Sequence, residues 1–369
     1  MKVTALSENL KRTLGIVNRG ISTRPQLPIL SGVLLRAGKE GLEMTTTDLE
    51  ISLWAKMGAK VEEEGEIVAP ARLFSDLVAS LPPGPVEIET DKNKLILKSK
   101  QTKSEIMGQG AEDYPVIPRM KSLQIKIKSG EFREKVDKVS VSAAKDDTRP
   151  VLTGMLWEFK PEEVVLAATD GYRLSVDKMK VSKIEDKLLG KVILPARSLT
   201  EVSRVVGEMN PEYLSVEFDK ENQQVIFSLN DVEIASRLIS GEFPPYQQIM
   251  PNTYNTRLSF ERDEFADAVK RAKLFARENA NIVRLSVDEG KLKIVAESSQ
   301  IGANESEIEA EIEGEKVTVA FNAQYLLEYL NIFNEQTVVW ETEGELKPSV
   351  FRAKDENWLQ VIMPVRMQQ

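Results

Sequence analysis

Apolar residues recur at the 3.6-residue spacing of a helix in six short stretches, and between them the pattern falls to alternation. Leu6, Leu10, Leu14 and Val17 make one apolar face; Phe132, Val136, Val139 and Ala143 make a second; Phe265, Val269 and Ala272 make a third. Leu73 with Leu77, then Leu199, Val202 and Val206, then Leu326, Tyr329 and Leu330 supply three more stripes. These predict helices over 7–19, 71–80, 130–145, 196–207, 261–277 and 323–331. Pro70 and Pro195 sit near two helix starts, where a missing N–H is harmless. Period-two runs such as Leu95 to Ser99 and Leu292 to Ala296 predict strands, with turns at Asp91-Lys92-Asn93 and Asp288-Glu289-Gly290. The order strand, helix, several strands, performed repeatedly, predicts an α+β protein with helices on one side of antiparallel sheets.

The pattern also repeats at long range. Pro28-Ile29-Leu30-Ser31-Gly32-Val33-Leu34-Leu35 returns as Pro150-Val151-Leu152-Thr153-Gly154-Met155-Leu156-Trp157, and Thr47-Asp48-Leu49 as Thr169-Asp170-Gly171. Ile67-Val68-Ala69-Pro70-Ala71-Arg72-Leu73 returns as Ile193-Leu194-Pro195-Ala196-Arg197-Ser198-Leu199. A more degenerate third copy places Val283 to Val287 and Val319 to Ala323 at the corresponding points. The proline-rich stretches Tyr114 to Pro118 and Phe243 to Pro251 close the first two copies. The expected division is therefore 1–120, 121–251 and 252–369, with two helices in each third.

Composition narrows the chemistry. The 369 residues include no cysteine and no histidine, which removes disulfides, thiol nucleophiles, Cys/His zinc sites and imidazole catalysis. No run approaches the roughly 18 apolar residues of a membrane span, and Glu8, Lys11 and Arg12 interrupt any signal-like apolar start, so a cytoplasmic protein with no membrane partner is expected. The net charge is −9, yet the six predicted helices together carry about +4 and everything else about −13. An acidic protein with mildly basic helices can offer one attractive face to a polyanion; helix propensity of Lys and Arg explains the same partition.

Motifs for common chemistries are weak. There is no Walker A sequence, and Gly108-Gln109-Gly110 lacks a third glycine and a following helix. Ser142 to Lys145 and Ser175 to Lys178 match Ser-x-x-Lys without its companion motifs. Asp146-Asp147 and Glu62-Glu63-Glu64 are carboxylates of the kind that hold Mg²⁺, but solvated loops use them too. The recurring Asp48 and Asp170 fit duplicated turn chemistry. Val361 to Met367 is strongly apolar close to the end of the sequence, as a last buried strand or as the lining of an adaptable groove for a partner peptide. Two alternatives stay open on residues alone. One is a carboxylate and Mg²⁺ enzyme using Asp146, Asp147 and Asp170, and the other a scaffold that gathers peptides without DNA.

Taken together the motifs resemble the bacterial DNA polymerase III beta subunit, the beta sliding clamp family. The resemblance runs through Arg24-Pro25, Leu27 to Leu30, Thr46 to Glu50, Arg149, Gly154 to Leu156, Ala168 to Leu174, Gly241 to Pro244 with Tyr246, Phe321-Asn322 with Tyr325, and Met363 to Arg366. It implies three repeated clamp domains per chain and a ring-forming, head-to-tail homodimer around double-stranded DNA, helices lining the hole. It also implies a processivity factor with no catalytic, cofactor or metal site. The implied partners are the replicative DNA polymerase, the clamp loader, and repair, translesion and other clamp-motif proteins.

Carried over by motif, the family's peptide cleft falls on Leu152, Thr169, Gly171, Tyr172, Arg173, Leu174, Pro244, Ile249, Asn322, Tyr325, Val361, Met363, Pro364 and Arg366. Tyr172, Val365 and Gln248 stand where relatives carry His, Met and Arg, which bears on peptide preference. The DNA-contact positions fall on Arg24, Arg149 and Arg197, and the dimer interface on Leu274 and Phe275 facing the Ile106 region. Lys11, Arg12, Lys138, Arg204, Lys270 and Lys273 are further DNA candidates on charge alone.

Overall fold

The computed structural model describes all residues except 23–24, 101, 182–183, 220–221, 289, 355–356 and 367–369. The first third holds β1 (Lys2–Leu6), α1 (Ser7–Val17), β2 (Gly32–Gly38), β3 (Gly41–Thr47), β4 (Ile51–Met57), β5 (Lys60–Glu63), β6 (Gly65–Pro70), α2 (Ala71–Ser80), β7 (Pro85–Asp91), β8 (Lys94–Ser99) and β9 (Thr102–Met107). The middle third holds β10 (Ile125–Lys128), α3 (Ser129–Ser140), β11 (Gly154–Phe159), β12 (Glu163–Thr169), β13 (Arg173–Lys180), β14 (Gly190–Pro195), α4 (Ala196–Met209), β15 (Tyr213–Asp219), β16 (Gln224–Leu229) and β17 (Val232–Arg237). The last holds β18 (Thr256–Glu261), α5 (Arg262–Ala276), β19 (Ile282–Asp288), β20 (Lys291–Ser298), β21 (Gly302–Gly314), β22 (Thr318–Asn322), α6 (Ala323–Ile332), β23 (Thr337–Thr342), β24 (Ser349–Arg352) and β25 (Leu359–Ile362). Strand, helix and further strands thus occur twice per third. No helix among the described residues is long and apolar enough to cross a membrane.

Local chemistry sets the helix starts. Pro70 occupies the N-cap position of α2, where no backbone donor is needed. Asn322 caps α6 by accepting the Gln324 amide at 2.8 Å, and Glu261 caps α5 by accepting that of Glu264 at 2.6 Å. The expected helix over 130–145 ends earlier, at Ser140. Past that point the Ala144 amide turns to the Leu152 carbonyl at 2.8 Å, which continued helix would forbid.

The chain divides into two compact units, Met1–Gly130 with Glu201–Leu238, and Glu131–Thr200 with Ile239–Gln369. Each contains a sheet that runs across a boundary between sequence thirds. In the first, eight strands order as β10-β15-β16-β17-β4-β3-β2-β6, joined where β17 pairs antiparallel with β4; a separate sheet orders as β5-β1-β7-β8-β9. In the second, twelve strands order as β14-β11-β12-β13-β25-β24-β23-β18-β21-β20-β19-β22, joined where β13 pairs with β25. The long β21 bends between neighbours, pairing with β20 along 302–309 and with β18 along 310–314. Beneath this sheet α5 and α6 close a core that includes Phe265, Phe321, Tyr329, Trp340, Phe351 and Trp358.

Candidate functional site

At the β13–β25 join the two sheet faces are reversed in polarity. The register sets Arg173 against Ile362, Leu174 against Val361, Ser175 against Gln360 and Val176 against Leu359. Because side chains alternate, Arg173, Ser175 and Gln360 point to the helix side and Leu174, Val176, Leu359 and Val361 to the helix-free side. Polar groups that go inward need partners, and they have them. Trp358 donates to Ser175 Oγ at 2.8 Å, the Gln360 amide donates to Ser142 Oγ at 2.9 Å, and Ser175 Oγ donates to the Lys138 carbonyl at 3.1 Å. On the other face Leu174, Val176, Val350 and Val361 form an apolar cluster covered in part by Ile239, Phe243, Tyr246 and Met250 of the connecting segment. Pro244, Ile249 and Tyr172 stand exposed in the same unit.

The turn before β13 is built by its own side chains. Asp170 Oδ1 accepts the amides of Tyr172 and Arg173 at 2.9 and 3.0 Å, and Thr169 Oγ1 accepts that of Gly171 at 3.0 Å. Gly171 has φ +91°, a left-handed conformation suited to glycine. The first third repeats this turn with Thr47, Asp48 and Ile51, but Leu49 occupies the left-handed position at φ +76°. Asp170 is thus a turn former, as its recurrence predicts. The turn leaves Tyr172 62% exposed while Arg173 dives inward.

Arg173 organises a polar cleft beside the apolar face. Its Nε donates to Asp170 Oδ2 at 3.0 Å, its Nη1 lies 2.6 Å from Glu328 Oε2, and its guanidinium sits 4.5 Å from the Tyr325 ring. Burial alone would push the Glu328 carboxyl up, but hydrogen bonds from Gln324 and Lys145 and the Arg173 charge hold it below the usual carboxylate range. Burial, with Asp170 nearby, raises the Tyr325 phenol. The cleft, about 480 Å³, is lined among others by Lys145, Arg149, Tyr172, Arg173, Tyr325 and Glu328. The segment after β25 is tied down nearby: the Met363 amide donates to the Tyr172 carbonyl and that of Val365 to the Ala320 carbonyl, both at 2.8 Å.

The expected cleft residues therefore fall into two sets, one on each face of β13. Leu174 and Val361 belong to the apolar floor, and Tyr172, Arg173 and Tyr325 to the polar cleft. Thr169 and Gly171 shape the turn, Asn322 caps α6, and Leu152 is buried in the short helical turn Pro150–Thr153. Met363 and Pro364 are half-buried and Arg366 exposed. Tyr246, Met250, Val350 and Leu359 of the floor and Glu328 of the cleft were not anticipated. The alternation of β25 carries part of that signal, since Leu359 shares parity with Val361, but the covering by 239–250 leaves no local pattern.

Of the expected DNA contacts, Arg24 lies outside the described residues and Arg197 is exposed in the first turn of α4. Arg149 lines the polar cleft, its guanidinium against Gly171 and donating to the Asp170 carbonyl at 3.5 Å. Lys138 departs from the charge-based expectation: it is only 5% exposed, bonded to Glu134 at 2.8 Å and lying over the Trp358 ring. Of the interface positions, Leu274 is 55% exposed, Phe275 packs partly against the α5–α6 core, and Ile106 is buried in β9.

Three family models match in succession: the N-terminal domain of the DNA polymerase III beta subunit over 1–118, the central domain over 126–245 and the C-terminal domain over 247–366. The chain belongs to the DNA polymerase III beta subunit family. The beta sliding clamp of Bacillus subtilis (strain 168) is 30% identical over 380 residues, covering 99% of this chain and 100% of that one. That of Staphylococcus aureus is 28% identical over 379 residues, covering 99% and 97%. The crystal structure of the Bacillus subtilis DNA polymerase sliding clamp superposes with a TM-score of 0.94 at 30% identity, and that of the Thermotoga maritima beta subunit with 0.92 at 26%, each covering both chains completely. The fold is accordingly the family's three repeated α+β clamp domains, and the family's role is to tether the polymerase for processive synthesis.

Proposed function

We propose that this chain is a non-enzymatic processivity clamp of the cytoplasm: two copies close head to tail around duplex DNA, and partners dock short peptides on the β13–β25 join. The observation that carries the reading is the successive match of all three family domains along the chain. Exposed Tyr172 and Ile249, next to the apolar cluster of Leu174 and Val361, support the docking site, because a peptide groove needs apolar anchors at its surface. The partners of this reading are the polymerase, the clamp loader and repair proteins.

Support for the ring comes from two strand edges. β9 ends its sheet, and along 302–309 β21 has β20 on one side and no strand on the other among the described residues. The first edge strand carries Lys103 and Glu105, which pair with each other, the second carries Glu305, Glu307 and Glu309, and exposed Met107 and Leu274 provide apolar surface. Open strand edges flanked by exposed apolar side chains favour pairing between copies. Exposed helix cations such as Arg197 and Arg204 suit weak, sequence-independent phosphate contacts.

The test is fluorescence anisotropy with a labelled Gln/Leu/Phe-containing peptide, against the full chain and a version truncated after Ile362. Saturable binding by the full chain, lost in a truncated version that keeps its circular dichroism spectrum, is the expected result. No binding by the folded full chain would overturn the docking site, and sedimentation as a single chain at micromolar concentration would overturn the ring.

A further inference from the structure

Next to the groove floor, β23, β24, β25 and the connecting segment enclose a second pocket of about 310 Å³, lined among others by Tyr254, Glu341, Val350, Arg352, Leu359 and Val361. It shares its floor with the groove: Val361 pairs with Leu174 on one side and with Val350 on the other, and all three belong to one apolar cluster. Its walls are held in place by ionic contacts. Arg352 makes a two-pronged bond to Glu341, Nε to Oε2 at 3.1 Å and Nη2 to Oε1 at 2.7 Å. Arg257 lies 3.5 Å from the same carboxylate and 5.7 Å from the centre of the Tyr254 ring.

We propose that this pocket takes one aromatic side chain from the stretch of a partner protein that flanks its docking motif. The inference rests on the peptide-groove reading above and specifies what such partners carry beyond the motif. Charge does not select the occupant, because Glu341 between the two guanidiniums, Glu313 opposite Arg257 on β21, and Glu343 bonded to Thr253 already balance the cations. What the pocket presents is the Arg352 guanidinium, 32% exposed and fixed in plane by Glu341, the partly exposed Tyr254 ring, and the partly exposed Leu359 beside buried Val350 and Val361. A flat apolar ring suits this lining: it stacks on guanidinium and tyrosine and covers the exposed part of Leu359.

The register also sets a spacing. From Leu174 through Val361 to Val350 is two strand steps, roughly 10 Å at about 4.8 Å each, which an extended peptide covers in about three residues. The aromatic residue therefore belongs about three positions from the apolar anchor.

The experiment compares labelled peptides that share a Gln/Leu/Phe core and are extended by Ala-Ala-Phe or by Ala-Ala-Ala at either end, titrated into the full-length protein by anisotropy. One Phe-extended peptide is expected to bind ~5-fold tighter than its Ala counterpart. That advantage should shrink below about twofold in Arg352→Lys, which keeps the charge and loses the flat face. It should shrink likewise in Tyr254→Ala, a partly exposed site that guards against misfolding of the first variant. Equal binding of Phe and Ala peptides to the unmodified protein would overturn the second pocket and leave the groove standing, as would an advantage that survives both substitutions. Failure of every peptide to bind the folded protein would remove the groove and this inference with it.

Discussion

The two places where a sheet passes from one sequence third to the next are built on opposite plans. At β4–β17 the apolar residues Leu53 and Ile234 face inward, Leu53 meeting the Gly20 end of the α1 segment. The opposite face carries Trp54 beside Glu233, with the Arg119 guanidinium 3.3 Å from the centre of the indole ring and bonded to Glu233 at 2.6 Å. Glu217 accepts the amides of Lys121 and Ser122 at 2.6 and 3.1 Å, so charged groups strap the connecting segment to that sheet. At β13–β25 the inward face carries Arg173, Ser175 and Gln360 beside buried Ile362, while Leu174, Val176, Leu359 and Val361 face away from the helices. The apolar side at β4–β17 packs against its own helical segment. At β13–β25 a buried hydrogen-bond network takes the inward side instead, and the apolar side is buried beneath the chain's own 239–250 segment.

The comparison can be broken most forcefully at Trp358. This side chain is fully buried, stacks near Tyr329 and Phe333, and donates to Ser175. Trp358→Ala is expected to cost about 3–5 kcal/mol in denaturant unfolding, the cavity adding to the hydrogen bond lost at Ser175. A loss under 1 kcal/mol would mean that the inward polar network does not hold this join.

Glu328→Gln comes next, at about 2–3 kcal/mol, because Arg173 is left buried without one of its two carboxylates. The pH dependence follows with a definite sign. Glu328 is held below its ordinary value in the folded chain, so its contribution is complete above the unfolded carboxylate pKa of about 4.3 and is lost as pH falls through the lower folded value. The difference in melting temperature between the two proteins should therefore narrow on acidification below about pH 4; a constant gap from pH 7 to pH 3 would contradict the ionic role.

The smallest expected effect belongs to the other join. Arg119→Ala removes a half-exposed ion pair and a ring contact, about 1 kcal/mol in the same unfolding measurement. It should leave peptide affinity unchanged, since Arg119 belongs to the join whose apolar side faces its own helices. A peptide-binding defect in this variant would show that the two joins are not separable in function.

Much of the fold was legible in the chain because it is written locally. Helical periodicity located six helices, proline placed the start of α2, and the Thr-Asp pairs built the same turn twice, with Asp170 bonding its own backbone two and three residues on. The end of the helix expected over 130–145 was not legible, since the competing partner of the Ala144 amide lies at Leu152 and belongs to tertiary structure. Lys138 illustrates the same limit for charge: its sequence context reads as a solvated helix cation, while Trp358, over 200 positions away, takes it into the interior.

The sequence by itself determined the elements, their repetition in thirds, the absence of cysteine and histidine chemistry, and the motifs that mark the family, because each depends on neighbouring residues or on residue type alone. Tertiary structure decided which strands join the thirds and which face of a strand is inward. A strand's alternation separates two faces without saying which one the helices will cover. At β13–β25 that choice was made by partners distant in the chain, Ser142 for Gln360, Glu328 for Arg173 and the 239–250 segment for Leu174 and Val361, and it is this choice that sets an apolar floor on the helix-free side.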